Sequence, residues 1–179
     1  KLKEFAVKKF INIYKSKHIR NPFIDNQIGE KDGLVSGERA NSNAKQRTRL
    51  VYLYYFADKN NLLVVGSAHR SEDFTGLFVK FGIDDNADLM PLKDMYRTQI
   101  LQLAEYLKVP NYVKERTPNP DVIPGIEDKY LDLIGISSDL VDLILFGIDK
   151  DMKDVEIAKR LKIDKGKVWN IRQLIKSSA

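Results

Sequence analysis

The chain contains no cysteine, which removes a disulfide framework, a thiolate metal site and a cysteine nucleophile from consideration. Histidine is scarce as well. His18 and His69 lie far apart and form no zinc-ligand spacing, so each reads as a hydrogen-bonded or exposed imidazole. No stretch approaches the ~18 consecutive apolar residues of a membrane-spanning helix. The opening Lys1-Leu2-Lys3-Glu4 runs into an amphipathic segment and lacks the apolar core of a secretory signal. Internal repeats and low-complexity tracts are missing too. These absences are what a cytoplasmic protein would have.

What is present is a chain of 179 residues, 43% apolar and 31% charged, a balance too apolar for disorder and suited to one globular domain spanning 1–179. The net charge of +5 is unevenly placed. Residues 1–44 carry nine Lys/Arg against five Asp/Glu, residues 45–150 thirteen against sixteen, and residues 151–179 eight against four. Both ends are basic and the apolar middle is slightly acidic. That distribution suits a phosphate-bearing partner, nucleotide or nucleic acid alike.

Residues 1–10 have near-helical apolar spacing, and Ile11-Asn12-Ile13-Tyr14 reads as a short strand. From Asn21 to Ala44 the chain is rich in Asn, Asp, Gly, Ser and Pro and reads as a surface loop, long enough to suggest function. Residues 44–58 then predict a helix with Leu50, Leu53, Tyr54 and Ala57 on one face. Leu62-Leu63-Val64-Val65 is the clearest strand. Its unbroken apolar run predicts burial on both sides, as in a parallel sheet covered by helices. A helix over 96–108 follows, with Ile100, Leu101, Leu103, Ala104 and Leu107 inward, ended by Val109-Pro110. Ser138 is expected to cap a helix carrying Leu140, Val141, Leu143 and Ile144, and two further helices start near Asp154 and Lys165. The order predicts an α/β, doubly wound parallel sheet with a helical C-terminal segment.

In such sheets ligands bind beyond the carboxyl ends of the strands. Here that end is Gly66-Ser67-Ala68-His69-Arg70-Ser71-Glu72. Gly66 is expected to permit a sharp turn, Ser67 to place a hydroxyl at the strand tip, and the Glu72 carboxylate to suit a hard cation such as Mg²⁺. The same residues also suit turn caps and a solvated first-turn acid. Lys80 sits among apolar and aromatic residues, either snorkelling or holding an anion. Asp84 and Asp85 read as a solvated turn, whereas Asp88 abuts an apolar run and is expected to be held in place. Arg47 and Arg49, at the start of the 44–58 helix, would make an anion site with the free amides there.

Several of these segments occur in linked order: Asn43 to Leu50, GSAHRSE at 66–72, FTGLFVKFG at 74–82, ADLMPL at 87–92 and YRTQILQLAEYLKVP at 96–110. In order and spacing they resemble the NAD synthetase family, of the ammonia-dependent type, within the N-type ATP pyrophosphatase superfamily. The resemblance covers about residues 38–145. It implies an adenine-nucleotide alpha hydrolase-like fold and the ATP-dependent amidation of deamido-NAD to NAD⁺, through an adenylate, with release of pyrophosphate and AMP. It also implies Mg²⁺, ATP as co-substrate, free ammonia and a homodimer. Residue by residue, Arg47, Lys80 and Asp88 match contacts to deamido-NAD, and Glu72 matches the Mg²⁺ ligand. Ser67 stands for a threonine that contacts ATP, Arg97 for a lysine that contacts ATP, and Asn119 for the Thr or Ser of a later ATP turn. The loop Ile83-Asp84-Asp85-Asn86 is one residue longer than the family's Asp-Gly-Gly.

The family's Ser-Gly-Gly-x-Asp-Ser pyrophosphate loop does not occur in this sequence, nor does its closing His-Lys pair. Either these residues are a fragment or a splice of segments of a longer protein, which is the expected case, or the protein is a degenerate relative. Taken as complete, the chain is expected not to adenylate. Two other readings stand beside this one. Residues 154–176 read as a helix-turn-helix with a basic surface, which would suit DNA, although nucleic acid is not the expected partner. A related adenylating amidotransferase with a different acceptor is the second.

Overall fold

The structure is a computed structural model that describes residues 33–83, 86–121 and 125–178. The expectations for residues 1–14, for His18, for 21–32 and for the Asp84-Asp85 turn lie outside these residues. The first described element corrects the sequence reading. Where a loop was expected up to Ala44, the chain is already helical, in α1 (Gly33–Asn60). Gly, Ser and Asn cost a helix only about 0.5–1 kcal/mol each relative to Ala, and Arg39, Ala40, Ala44, Lys45 and Gln46 in the same window favour it. Asn61, with φ of 53°, stops α1 in the left-handed region, and the Leu62 N–H closes the turn on the Ala57 carbonyl at 2.9 Å. The expected inward face of α1 is only partly covered: Ala57 is buried, Leu50 and Tyr54 are half-buried and Leu53 is exposed.

The buried strand is also corrected. Val65 forms a single parallel bridge with Leu89, in which the Gly66 N–H donates to the Leu89 carbonyl at 2.7 Å and the Leu89 N–H to the Val64 carbonyl at 3.2 Å. Val64 is buried, while Leu62, Leu63 and Val65 are 64%, 67% and 60% exposed. A strand is buried on both faces only where helices cover both, and among the described residues the helices pack elsewhere. Among the described residues there is no further strand, and the architecture is helical.

The remaining elements are α2 (Arg70–Thr75), α3 (Arg97–Tyr106), α4 (Asn111–Lys114), a π-helical turn (Tyr130–Ile134), α5 (Ser138–Asp149), α6 (Asp154–Leu161) and α7 (Lys165–Ser178). The three C-terminal helices fall where their apolar periodicity places them. Val141, Ile144, Leu145, Ile157, Val168, Ile171 and Leu174 are essentially inaccessible and form the core with Tyr96, Tyr130, Ile134 and Ile136. α7 packs on α2, α5 and α6, and α5 also receives α2 and α3. Leu103 and Leu107, expected inward, are exposed, and Ile100, Leu101 and Ala104 are only half-buried. Ser137, not Ser138, is the N-cap of α5, and its side chain makes no capping bond. The paired helices α6 and α7 match the helix-turn-helix reading, with Ile157, Ala158, Leu161, Ile163, Val168, Ile171 and Leu174 packed into or against this core. Among the described residues no helix is long and apolar enough to cross a membrane.

Candidate functional site

Gly66 ends the bridge, and its role differs from the expected turn. A Cβ there would lie 2.8 Å from the Ala87 Cβ and 3.2 Å from the Met90 Cγ, so the residue is needed for the close approach of the 87–90 segment. On that segment Asp88 is held in place, as expected. Its carboxylate accepts the Val64 N–H at 2.8 Å and the Tyr54 hydroxyl at 3.3 Å. Ser67, one residue past the bridge, is exposed.

Arg47 and Lys80 are brought together, but not as anticipated. Arg47 lies in the middle of α1 and not at a helix start, so no free helix amides adjoin it. Its guanidinium instead donates to the Lys80 carbonyl, from Nε at 3.3 Å and Nη2 at 3.1 Å. Lys80 itself is exposed rather than embedded, with its ammonium 5.3 Å from the Phe81 ring centre. Arg49 reaches Asp121 at 3.1 Å. One helix therefore tethers residues 80 and 88 of the candidate dinucleotide site, and through Arg49 also reaches the 117–121 turn of the candidate ATP site.

A second cluster surrounds the start of α2. His69 is its N-cap in extended conformation, and Glu72, three residues on, accepts the His69 N–H at 3.2 Å. The other Glu72 oxygen takes an ion pair from Lys129, and both side chains are largely buried, at 14% and 12% exposure. Lys129 is placed by the turn that carries it. Asp128 accepts the Tyr130 and Leu131 amides, and Asp132 accepts the Glu127 and Asp128 amides, so the backbone on both sides of Lys129 is fixed. Burial holds the His69 imidazole below its ordinary pKa, helped by the cations Lys129 and Arg97 and opposed by Glu72 and Asp142. Burial also pushes the Tyr130 hydroxyl well up, and the charges of Glu72 and Asp142 push the same way. The Tyr130 hydroxyl and His69 Nδ1 are buried without a hydrogen-bond partner.

The start of α3 joins this cluster. The Ser71 hydroxyl donates to Asp142 at 2.5 Å and accepts the Arg97 N–H at 3.1 Å, while the second Asp142 oxygen accepts the Thr98 N–H at 2.8 Å. Arg97 then sends Nη2 to the Arg116 carbonyl at 3.3 Å, beside the 117–121 turn. In that turn Asn119 is spent locally, its side-chain oxygen accepting the Asp121 N–H at 2.7 Å. Glu72 and Arg97 are thus neighbours through Ser71, and Arg97 reaches the segment that leads into the Asn119 turn. Sequence reasoning missed Lys129, which carries no local signal, and Asp142, whose signal was an acid set within the apolar run Leu140-Val141-Asp142-Leu143-Ile144.

A Mg²⁺ held mainly by substrate phosphates and water needs one or two protein carboxylates. Among the described residues no three His, Cys, Asp or Glu side chains come together as a metal cluster. Glu72 meets the lesser requirement in donor type, and to hold the ion its oxygen would exchange Lys129 for it.

The family described as NAD synthase matches this chain over residues 4–179. The NH(3)-dependent NAD(+) synthetase of Coprothermobacter proteolyticus is 38% identical over 89% of this chain and 53% of its own length. That of Thermococcus sibiricus is also 38% identical, over 95% of this chain and 63% of its own. The chain therefore spans little more than half the length of these relatives. Among solved structures, NMN synthetase from Francisella tularensis is similar at a TM-score of 0.59 and 26% identity, covering 75% of this chain and 50% of that one. The NH3-dependent NAD synthetase of Campylobacter jejuni, at 0.56 and 20%, covers 84% and 54% and shares the fold. A match along almost the whole chain, with relatives this similar, makes the chain a member of the NAD synthase family.

Proposed function

We propose that the whole protein makes NAD⁺ from deamido-NAD, ATP and ammonia. The observation that carries this reading is the juxtaposition of Glu72 and Arg97 through Ser71, in a chain of this family. Arg47, Lys80 and Asp88 would hold deamido-NAD, and Ser67, Arg97 and Asn119 would hold ATP. A nicotinate carboxylate oxygen attacks the α-phosphorus and pyrophosphate departs, leaving an acyl adenylate. Ammonia adds to the acyl carbon, loses a proton and expels AMP. The residues' task is positioning and charge compensation, with no side-chain nucleophile. Glu72 would hold Mg²⁺, which when bound supplies positive charge to the ATP phosphates.

In this reading 62–65 and 87–90 are adjacent strands of the doubly wound parallel sheet, within one domain of a cytoplasmic protein. A homodimer is supported by Val51, Tyr52, Tyr55 and Phe56, all more than half exposed on one side of α1 next to Arg47. The likeness to an NMN synthetase favours a second reading, in which the amidated acceptor is a mononucleotide.

The test is to incubate the full-length protein with Mg²⁺, ATP, an ammonium salt and either deamido-NAD or nicotinate mononucleotide. NAD⁺, AMP and pyrophosphate in equal amounts from deamido-NAD are expected, with pyrophosphate release weakened in Glu72→Gln. Turnover of the mononucleotide alone would select the second reading, and turnover of neither would end both.

A further inference from the structure

Asp142 is 3% exposed, deep in the face of α5 that meets α2 and α3. A buried carboxylate is retained at a cost unless it is fully hydrogen-bonded, and this one is bonded to the starts of two other helices. α3 needs acceptors for its first amides, which a Ser, Thr, Asp or Asn at the N-cap ordinarily supplies. The N-cap here is Tyr96, whose side chain makes no capping bond. The Thr98 amide goes to Asp142, and the Arg97 amide goes to Ser71, which is itself bonded to Asp142. A local cap would satisfy these amides equally well, but it would not join Ser71 to the start of α3. Among the described residues that start otherwise meets α2 only on the Arg70 side, through the Arg70 N–H on the Met95 carbonyl at 2.9 Å and through Asp149, shared by Arg70 and Tyr96. Capping from α5 instead fixes the residue before Glu72 against the residue that begins α3, Arg97.

We infer that Asp142 is a positioning residue that sets the spacing between Glu72 and Arg97, and through them the placing of ATP. The inference rests on the proposed reaction. It also separates the two halves of the site. Arg47, Lys80 and Asp88 are tethered through α1 and the bridge, with no bond to Asp142. Loss of the Asp142 bonds therefore acts on the ATP side and leaves the dinucleotide side in place.

The experiment is steady-state kinetics of the full-length protein as wild type, Asp142→Asn, Ser71→Ala and the double variant, with Ile144→Val as a core variant of lowered stability. A misplacement of about 1 Å at a reacting centre costs on the order of 100-fold. Asp142→Asn is expected to raise the KM for ATP and lower kcat, by about 10- to 100-fold together, with the KM for deamido-NAD unchanged. Ser71→Ala should show the same split, more weakly, and the double variant should fall no further than Asp142→Asn. Ile144→Val should show no split. If Asp142→Asn does not fold, Ser71→Ala alone decides. Equal changes in both KM values, or none, would overturn the inference while wild-type turnover leaves the reaction standing. An inactive wild type would overturn the reaction itself.

Discussion

Glu72 faces a choice of cations. In this structure its charge is met by Lys129, with which it forms a largely buried pair. Removing one partner of a buried pair leaves the other uncompensated, at about 3–5 kcal/mol. Lys129→Met is therefore expected to lower stability by roughly the lower end of that range, and Mg²⁺ is expected to restore part of the loss. Thermal unfolding with and without Mg²⁺ checks this. A Mg²⁺-induced rise in Tm no larger in the variant than in wild type would show that Lys129 and the ion do not share the carboxylate. Tyr96 offers a second test. Burial, reinforced by its hydrogen bond to Asp149 and opposed by Arg70, pushes its hydroxyl up to about 12. The unfolded phenol ionises near 10, so the group contributes stability that is fully present below pH 10 and is lost as pH rises towards 12. Tyr96→Phe should flatten the dependence of Tm on pH across that window, and an unchanged slope would exclude the network as its source.

At the scale of elements, the C-terminal helices are held by close approach as well as by apolar area. A Cβ on Gly147 of α5 would lie 2.9 Å from Cγ1 of Ile157, which α6 keeps buried. Alanine gains about 1 kcal/mol of helix propensity, but overpacking a filled core costs about 1–3 kcal/mol. Gly147→Ala should therefore destabilise by about 1 kcal/mol, read as a lower urea midpoint, and a rise would show that α6 can shift. These helices were legible in the sequence because their apolar residues recur at helical spacing over a local window. α1 was not. Its first turns are written in Gly, Ser and Asn, whose loop preference is weak and was outweighed along the continuous helix. The strand at 62–65 was legible as apolar chain, but its burial was not, since covering helices are a property of neighbours.

For the whole molecule, α1 stands apart. It is linked to the rest by side-chain bonds from Arg47, Arg49 and Tyr54, while Val51, Tyr52, Tyr55 and Phe56 face away. Tyr55→Glu with Phe56→Glu is expected to convert a dimer of the full-length protein to monomers in sedimentation, and to impair use of deamido-NAD through Arg47. A wild-type monomer, or a variant that stays dimeric, would remove α1 from the interface. The sequence by itself determined the C-terminal core and, by the order of its motifs, the family and the residues to examine. Those signals depend on residue type and short spacing. Only the tertiary structure decided what each charged side chain meets: Lys129 on Glu72 across 57 positions, Asp142 on Ser71 across 71. A hydrogen bond is satisfied in space, and no local pattern records which distant donor will arrive.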